Sequence, residues 1–296
     1  MTSWASRALP VLLRFTGRTR AYQNAQSAQE HIDQRALRPQ PYGPPAKLRT
    51  DVAVAVQRRG SWPIYTLTPR TASPRRAVVY LHGGAWVNEI TPQHWHLVAQ
   101  IAAEAQATVI VPIYPLVPFA TAAQVVPAVV DLVADQVSGG GPVCLTGDSA
   151  GGQIALSAAL LLRDDHGAVL PRTILISPVV DLSLSNPDIA AVEPTDPWLG
   201  RDALRVFAER WRADLPLTDL RVAPLAADLA GLGPLTIFTG TRDLLNPDAH
   251  VLAEQTRAAG VSVEFHEEPG LLHVYPLMPT PEGRAARAVI VEELKV

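Results

Sequence analysis

The 296-residue chain contains a single cysteine, Cys144, and only two lysines, and 18% of its residues are charged. One cysteine excludes an intrachain disulfide and a zinc site built from several thiolates, so no metal site is expected. The 28 acidic residues nearly balance the 25 basic ones, the net charge is −3, and no run of charges could follow a phosphate backbone. This composition argues against a nucleic-acid partner.

Signatures of nucleotide cofactors are also missing. The chain has no Gly-Lys pair, which excludes a Walker A loop, and no Gly-x-Gly-x-x-Gly motif follows a strand-like run. We therefore expect the protein to work without a cofactor.

Long hydrophobic runs are lacking at the N-terminus. The apolar stretch 8–13 ends at Arg14 and precedes no cleavage pattern, so it is interpreted as neither a signal peptide nor a membrane span. Four apolar residues nearby recur at helical spacing: Trp4, Ala8, Leu12 and Phe15. This pattern favours an amphipathic helix lying on the body of the protein over membrane attachment. Without an export signal, a cytoplasmic location and no stable membrane insertion are expected.

Hydrophobic residues make up 48% of the chain, which is typical of a protein that builds a sizeable core. Four prolines within residues 39–45 interrupt helix formation and separate an N-terminal helical arm, residues 1–50, from the rest of the chain. Beyond them, residues 51–58 and 62–68 alternate apolar and polar side chains on either side of a short turn, which predicts an antiparallel hairpin.

Short apolar runs then alternate with helix-length segments. The predicted strands are 77–81, 108–111, 143–146, 173–176, 235–239 and 261–265, and the predicted helices are 93–104, 124–136, 153–163 and 248–259. This alternation predicts a mostly parallel sheet with helices on both faces, and the hairpin brings the number of strands to eight.

One interval between strands is too long for a simple loop. Residues 182–233 include a predicted helix, 201–212, and are expected to form a cap insertion together with the arm. The core of the fold would then consist of residues 51–181 and 234–296.

Residues 147–151 are Gly-Asp-Ser-Ala-Gly, which matches the pattern Gly-x-Ser-x-Gly. They lie between a predicted strand and a helix that starts at Ala150. At this position a tight turn forces Ser149 into a strained conformation and pushes its hydroxyl out of the sheet, while the glycines let strand and helix pass closely. Ser149 is the candidate nucleophile; the alternative is a glycine-rich loop with an incidental serine.

A nucleophilic serine needs a base, and the base needs an acid that orients it. Asp243 follows the seventh predicted strand and His273 follows the eighth, and the order Ser149, Asp243, His273 is that of α/β-hydrolases. Asp248 is the alternative acid, although it lies at a predicted helix start, where an aspartate serves as a cap. His266 is the alternative base, although it closes a strand and lacks a loop that would reach the serine.

The loop after the third strand, residues 82–86, is His-Gly-Gly-Ala-Trp. Consecutive glycines let backbone amides approach an anionic oxygen that a β-carbon would screen. We expect the amides of Gly83 and Gly84, with that of Ala150 at the helix N-terminus, to form an oxyanion hole. The alternative is a simple Gly-Gly turn.

The motifs at 82–86 and 147–152 resemble the paired motifs of the hormone-sensitive-lipase-like esterases, the bacterial family IV carboxylesterases of the α/β-hydrolase superfamily. The resemblance extends over residues 50–296. It implies an α/β-hydrolase fold with a helical cap, and it implies that Ser149 is the nucleophile, Asp243 the acid and His273 the base. It also implies the same three oxyanion donors.

Two positions depart from the family pattern. Ala85 replaces the third glycine of the oxyanion motif, a common variant that leaves the first two donors intact. Residues 114–119, Tyr-Pro-Leu-Val-Pro-Phe, lack the arginine and glutamate of the family's corresponding segment.

The expected function is therefore that of a serine carboxylesterase that hydrolyses short- to medium-chain acyl esters through an acyl-enzyme. The expected partner is a small-molecule ester, and the sequence leaves the oligomeric state open, a homodimer included. Trp86, Trp198 and Leu272 are candidate substrate contacts. Two alternatives remain: an amidase or peptidase with the same triad, and a non-catalytic ligand-binding protein on the same fold.

Three other polar residues near these motifs receive structural interpretations. His94 and His96 lie two positions apart on a predicted helix and point about 200° apart, so they cannot share a metal and are expected to be solvated or in contact with the cap. Asp148 is expected to anchor the turn that carries the serine.

Overall fold

A computed structural model describes residues 2–16, 19–71 and 73–295, with only the backbone given for residues 14–16. Within these ranges, eight strands form one sheet in the spatial order β1-β2-β4-β3-β5-β6-β7-β8. The strands are β1 (Val52–Arg59), β2 (Trp62–Pro69), β3 (Ala77–Leu81), β4 (Thr108–Pro112), β5 (Val143–Asp148), β6 (Thr173–Ile176), β7 (Leu235–Gly240) and β8 (Val263–Glu268).

The predicted fold class is confirmed. Strands β3 to β8 run parallel, whereas β1 and β2 form the predicted hairpin and β2 pairs antiparallel with β4. The described α-helices are α1 (Trp4–Thr16), α2 (Ala25–Leu37), α3 (Pro92–Glu104), α4 (Ala122–Ser138), α5 (Ala150–His166), α6 (Ile189–Val192), α7 (Arg201–Arg212), α8 (Asn246–Ala258) and α9 (Pro281–Glu293).

Two hydrophobic clusters cover the two faces of the sheet. Alternate residues of a strand point to opposite faces, and in β3 Val79 and Leu81 join the cluster of α4, α5 and α8, whereas Val78 and Tyr80 join that of α3 and α9. Both faces of the parallel strands are therefore buried, and the carboxyl ends of these strands converge at one edge, where the candidate site lies.

The arm and the 182–233 segment contact each other. Helix α2 packs against α7, and Ala28, Ile32, Phe207 and Trp211 are all buried in the same cluster. The division of the chain at residues 50, 181 and 233 stays a prediction.

Helix α1 forms where it was predicted, but its orientation differs from the prediction. Trp4 is 83% exposed and Leu12 is 57% exposed, because the opposite side of the helix faces the body. On that side Leu13 is buried and the hydroxyls of Ser3 and Ser6 donate to the Glu282 carboxylate, each at 2.8 Å. The predicted role of the Phe15 side chain lies outside the described residues.

Two further differences concern the C-terminal region. Strand β8 begins at Val263 and ends at Glu268, two to three residues later than predicted, so that His266 lies inside the strand. Helix α9 follows the site and was not predicted. None of the helices in the described ranges is both long and apolar enough to cross a bilayer.

Candidate active site

The turn between β5 and α5 holds Ser149 in a strained backbone conformation. Ser149 has φ 52° and ψ −119°, a region that L-residues rarely adopt. The amide of Ser149 donates to the carbonyl of Ile176 at 2.8 Å, and its carbonyl accepts from Val179 at 3.1 Å. Contacts to β6 and to the segment after it therefore hold the turn in the predicted conformation.

Glycine at position 151 is required by the close approach of α5 to β3. A β-carbon on Gly151 would overlap the carbonyl oxygen of Leu81 and lie 2.5 Å from that of His82. Real β-carbons do not approach backbone atoms so closely, so the helix could not reach this position with a larger residue.

The structure brings Ser149, Asp243 and His273 together. The Nε2 atom of His273 lies 2.9 Å from the Ser149 Oγ atom, and its Nδ1 atom lies 3.0 Å from both carboxylate oxygens of Asp243. Asp243 has no exposed surface and His273 is 4% exposed. With its Nδ1–H donated to Asp243, the imidazole presents Nε2 as an acceptor for the serine hydroxyl proton.

Two loops deliver the acid and the histidine. The Asp243 carboxylate also accepts a hydrogen bond from the amide of Leu245 at 3.0 Å. The hydroxyl of Ser177 accepts from the amide of Val274 at 3.0 Å, next to the histidine. The start of α8 thus helps to fix Asp243, and the residue that follows β6 helps to fix the loop of His273.

The electrostatic surroundings of His273 act in two directions. Burial is the largest single influence and disfavours the charged form, but the charge and hydrogen bond of Asp243, together with the charges of Asp196 and Asp148, outweigh it, so the pKa of His273 is raised above 6.5. The imidazolium that forms when the serine loses its proton is therefore stabilised.

The alternative acid and base do not join this group. Asp248 lies in the first turn of α8, where its carboxylate accepts from Asn186 at 2.9 Å. Burial raises the pKa of Asp248 to about 6. His266 stacks on Phe238 within the sheet, with ring centroids 4.6 Å apart.

The loop 82–88, here called the oxyanion loop, differs from the prediction at one donor. The amide of Gly83 donates to the Asp148 carboxylate at 2.9 Å, so this amide is already used and the prediction that it binds the oxyanion is wrong. A β-carbon on Gly83 would overlap the same carboxylate, which explains the glycine.

Three other amides of the oxyanion loop and the serine turn have no acceptor among the described residues. Those of Gly84 and Ala85 donate no hydrogen bond within the described part of the chain. The amide of Ala150 lies in the first turn of α5, where no intrahelical acceptor exists. Gly84 has φ +128° and Ala85 φ 52°, conformations that turn this peptide segment away from regular structure.

Asp148 is the centre of a buried network that the sequence indicated only in part. Its carboxylate accepts from the Tyr80 hydroxyl at 2.7 Å and from Gly83, and it lies 3.2 Å from the Nε2 atom of His94. Burial alone would raise the pKa of Asp148, but the charge and hydrogen bond of His94 and the other two donors lower it below its usual value. Its predicted anchoring role is thus explained by named contacts.

His94 is buried against Asp148 and hydrogen-bonds the residue that caps its own helix, Thr91, so the expectation that it is solvated or in contact with the cap is wrong. His96 is exposed, in agreement with the predicted divergence of the two side chains. Within the described ranges, no group of three His, Cys, Asp or Glu side chains could hold a metal ion.

The candidate substrate contacts have different environments. Trp86 is 1% exposed, stacks on Trp211 at 5.6 Å and donates its indole N–H to Gln153 at 3.2 Å, so it is a core residue and the predicted substrate contact is not supported. Trp198 meets the imidazole of His273 edge to face at 5.8 Å. Leu272 is buried beside the histidine.

Asp196 is a residue near the site that sequence reasoning missed. Its carboxylate accepts from the amides of Trp198 at 2.7 Å and Leu244 at 2.8 Å, and thereby joins the 182–233 segment to the turn that follows Asp243. Burial and the negative charge of Asp243 raise the pKa of Asp196 to about 6. The sequence signal is a short Asx pattern, Asp196-Pro197-Trp198, which is too common to identify such a contact.

Comparison with known proteins decides the family. The family model for the alpha/beta hydrolase fold matches residues 78–277. The chain belongs to the α/β-hydrolase fold family. The match includes the oxyanion loop, the Ser149 turn, Asp243 and His273.

Curated relatives of this α/β hydrolase include proteins named acetyl-hydrolase and carboxylesterase. An acetyl-hydrolase of Streptomyces hygroscopicus is 33% identical over 218 residues, covering 71% of this chain and 72% of the relative. Carboxylesterase NlhH of Mycobacterium tuberculosis is 34% identical over 243 residues, covering 76% of this chain and 72% of the relative.

Solved structures agree with the sequence resemblance. A crystal structure of an esterase from the bacterial hormone-sensitive lipase family superposes with a TM-score of 0.78 at 25% identity, covering 90% of this chain and 95% of that one. A hormone-sensitive lipase from a metagenome library superposes at 0.83 with 24% identity, covering 98% and 97% of the two chains, and shares the fold. The resemblance to hormone-sensitive-lipase-like esterases is confirmed.

Proposed function

We propose that this α/β hydrolase is a serine carboxylesterase that cleaves short- to medium-chain acyl esters through an acyl-enzyme. The observation that carries the proposal is the 2.9 Å contact between Ser149 Oγ and His273 Nε2, with Nδ1 held 3.0 Å from Asp243. The esterase names of the relatives support the substrate class.

The proposed reaction has two halves. Ser149 Oγ attacks the ester carbonyl carbon while His273 Nε2 takes the hydroxyl proton, and the imidazolium then gives that proton to the departing alkoxide, which leaves as the alcohol. A water molecule next attacks the acyl-enzyme, losing its proton to His273. The imidazolium returns the proton to Ser149 as the carboxylic acid leaves, and Asp243 holds the histidine tautomer throughout.

The oxyanion that forms in both halves needs donors that are free. We propose the amides of Gly84, Ala85 and Ala150, because these amides have no acceptor among the described residues, whereas that of Gly83 is bound to Asp148. Loss of one such donor typically costs about 2.7 to 4 kcal/mol of transition-state stabilisation.

The segment 182–233 approaches His273 through the Trp198 ring, and the N-terminal arm packs on this segment where α2 contacts α7. We propose that residues 1–50 and 182–233 form a cap, with Trp198 and Leu272 as substrate contacts beside the histidine.

A series of p-nitrophenyl esters from acetate to palmitate tests the proposed preference for short to medium acyl chains. A highest kcat/KM for palmitate would contradict it.

The decisive experiment is Ser149→Ala with a p-nitrophenyl butyrate assay. Removal of the nucleophile should lower kcat by about 10⁶-fold, and a fluorophosphonate probe should label the wild-type protein but not the variant. Ser138→Ala, at an exposed helical serine, is the matched control and should leave both readouts unchanged. Full activity in Ser149→Ala would refute the serine mechanism.

Two other functions are distinguished by related measurements. An unreactive Ser149 in folded wild-type protein would favour a non-catalytic binding protein. Faster cleavage of an anilide than of the matched ester would favour an amidase or peptidase.

A further inference from the structure

Asn88, at the end of the oxyanion loop, has a side chain whose hydrogen-bonding capacity is fully used. Its Nδ2 group donates to the Tyr22 hydroxyl at 2.7 Å and to the Gly84 carbonyl at 3.4 Å. Its Oδ1 atom accepts from His31 Nε2 at 2.7 Å and from Arg35 Nε at 3.2 Å. A guanidinium can only donate, so the atom that faces Arg35 must be the oxygen, and this fixes the orientation of the amide.

The contact with Gly84 controls a single peptide unit. The Gly84 carbonyl accepts from the main-chain amides of Asn88 at 2.9 Å and Val87 at 3.1 Å as well as from the Asn88 side chain at 3.4 Å. This carbonyl and the amide of Ala85 belong to the same planar trans peptide and point in opposite directions. Holding the carbonyl toward Asn88 therefore turns the Ala85 amide away from Asn88, where it finds no acceptor among the described residues.

Glycine is required at position 84 for this arrangement. Its φ of +128° is strained for any L side chain, and a β-carbon there would lie 2.5 Å from the Asn88 carbonyl oxygen. The two residues are therefore packed closely, and no side chain larger than a hydrogen fits at position 84.

The other partners of Asn88 belong to the N-terminal arm, which is itself fixed. The Tyr22 carbonyl accepts from the amide of Gly200 at 2.8 Å, and the Tyr22 ring packs on Phe207 at 5.6 Å. His31 lies on α2, where the neighbouring Ile32 is buried. The arm thus gives Asn88 a rigid support outside the sheet.

We propose that Asn88 is a positioning residue that couples the N-terminal arm to the oxyanion loop and holds the Gly84–Ala85 peptide in the orientation that binds the oxyanion. The inference rests on the proposed serine esterase function. It adds a role for the arm in the rate of the chemical step, separate from any part the arm has in enclosing the substrate.

Two substitutions test the coupling from its two ends. In Asn88→Asp, an oxygen replaces Nδ2 and repels the Gly84 carbonyl, while His31 and Arg35 still pair with the carboxylate and keep the arm docked. In Tyr22→Phe, the hydroxyl that holds the Asn88 amide is removed, while the ring still packs on Phe207. Both variants leave Ser149, His273 and Asp243 untouched.

We measure kcat and KM for p-nitrophenyl butyrate, with kcat expressed per site that a fluorophosphonate labels. We also measure the inhibition constant of a trifluoromethyl ketone, because its adduct with serine carries an oxyanion. We expect kcat to fall about 10- to 100-fold in Asn88→Asp and about 3- to 10-fold in Tyr22→Phe, with KM changed less than about threefold. The inhibition constant should rise by the same factor as kcat falls. Tyr42→Phe is the matched control, because the Tyr42 hydroxyl makes no hydrogen bond to the described residues, and it should match wild type.

The outcomes separate this inference from the proposed function. If wild type turns over and binds the ketone, but both variants keep kcat per labelled site within about twofold, the coupling is refuted. A fall in the labelled fraction alone, with unchanged kcat per labelled site, would mean a folding role only and would also refute it. If Ser149→Ala remains active, or the ketone fails to inhibit wild type, the serine mechanism fails first. If Asn88→Asp does not fold, Tyr22→Phe decides the question.

Discussion

The Nε2 atom of His94, on helix α3, lies 3.2 Å from the Oδ2 atom of Asp148, the residue that precedes the candidate nucleophile. The same carboxylate accepts from the Gly83 amide of the oxyanion loop. One buried charge therefore joins the serine turn, the oxyanion loop and a helix on the opposite side of the sheet from α5.

Replacement of Asp148 by Asn should destabilise the protein. The Asn side chain has the same shape as that of Asp, but its NH₂ group replaces an oxygen that accepts a hydrogen bond. At least one of the buried donors Tyr80, Gly83 and His94 then has no acceptor. We expect the free energy of unfolding to fall by about 1 to 3 kcal/mol, the usual cost of leaving a buried donor without its acceptor. Urea unfolding followed by tryptophan fluorescence measures the change.

Asp135→Asn is the matched control for this substitution. Asp135 pairs with Arg59 on the surface, and its side chain is 62% exposed, so the variant should lose at most about 1 kcal/mol. Equal losses in the two variants would contradict the role assigned to the buried network.

The rate should depend on pH through His273. The neutral imidazole accepts the serine proton, and the raised pKa means that this form becomes dominant only above a pH higher than 6.5. We expect kcat/KM to decline as the pH falls through that value. A profile that is flat from pH 5 to 8 would exclude His273 as the base.

Asp243→Asn should change both the rate and the pH profile. Loss of the carboxylate leaves burial as the dominant influence, which lowers the pKa of His273, so the midpoint of the acid limb should move to lower pH. The rate should fall by about 10⁴-fold, because the histidine tautomer is no longer held. Asp248→Asn, at the alternative acid, should leave the midpoint of the pH profile where it is in wild type.

The same carboxylate should make stability depend on pH in the opposite sense to activity. A group whose pKa is raised on folding adds stability that is fully present below its unfolded value, about 6.5, and is lost as the pH rises through the folded value. The difference in unfolding free energy between wild type and Asp243→Asn should therefore shrink from pH 6 to pH 9. Guanidinium titrations at several pH values measure it, and a difference that grows over this range would be inconsistent with the raised pKa.

Gly151→Ala should prevent correct packing of α5 on β3. The added methyl group would overlap backbone oxygen atoms of residues 81 and 82, which cannot move without separating strand and helix. We expect a loss of about 3 kcal/mol or more, or no soluble folded protein. Gly43→Ala, whose β-carbon would meet only the Tyr65 hydroxyl at 3.6 Å, should lie within about 0.5 kcal/mol of wild type. Similar thermal stability of the two variants would show that the close approach is not required.

Replacement by Phe should lower the stability of the protein to different extents at Trp198 and Trp211, because their indole N–H groups differ in hydrogen bonding. Trp198 Nε1 is buried without an acceptor in the described chain, whereas Trp211 Nε1 donates to Gln153 at 2.9 Å. Trp198→Phe should therefore cost at least about 1 kcal/mol less than Trp211→Phe, because only the second variant loses a hydrogen bond. Differential scanning calorimetry on both variants gives the comparison. The reverse order of stability would indicate that the Trp198 N–H has a partner.

Sequence patterns predicted the parts of the fold that depend on local chemistry. The runs at 77–81 and 173–176 match β3 and β6 residue for residue, because each is a short apolar segment bounded by polar or turn residues. The three residues Ser149, Asp243 and His273 could be chosen because each follows a predicted strand, and parallel strands bring their carboxyl ends to one edge.

Contacts between distant segments could not be predicted in this way. A helical pattern predicts which residues share a face with His94, but it does not show that α3 directs this residue toward Asp148 and away from solvent. Consecutive glycines predict that the Gly83 amide is accessible, and so it is an oxyanion donor in the sequence analysis. They do not predict that this amide donates to Asp148. The sequence pattern of α1 predicts the wrong buried face. The contacts that orient the helix join Ser3 and Ser6 to Glu282, which is more than 270 residues away in the sequence.

The shared carboxylate of Asp148 also sets how this protein can be engineered. The Asp148 side chain links the oxyanion loop to the turn that carries Ser149, so we expect a library that varies residues 82–86 alone to disturb this turn and to yield mostly inactive clones. Residues 182–233 touch the triad through the Trp198 ring and through Asp196, which holds the turn after Asp243, so diversity in this segment that spares Asp196 should leave the reacting atoms in place. Substrate range and catalytic competence can therefore be varied in separate rounds of selection.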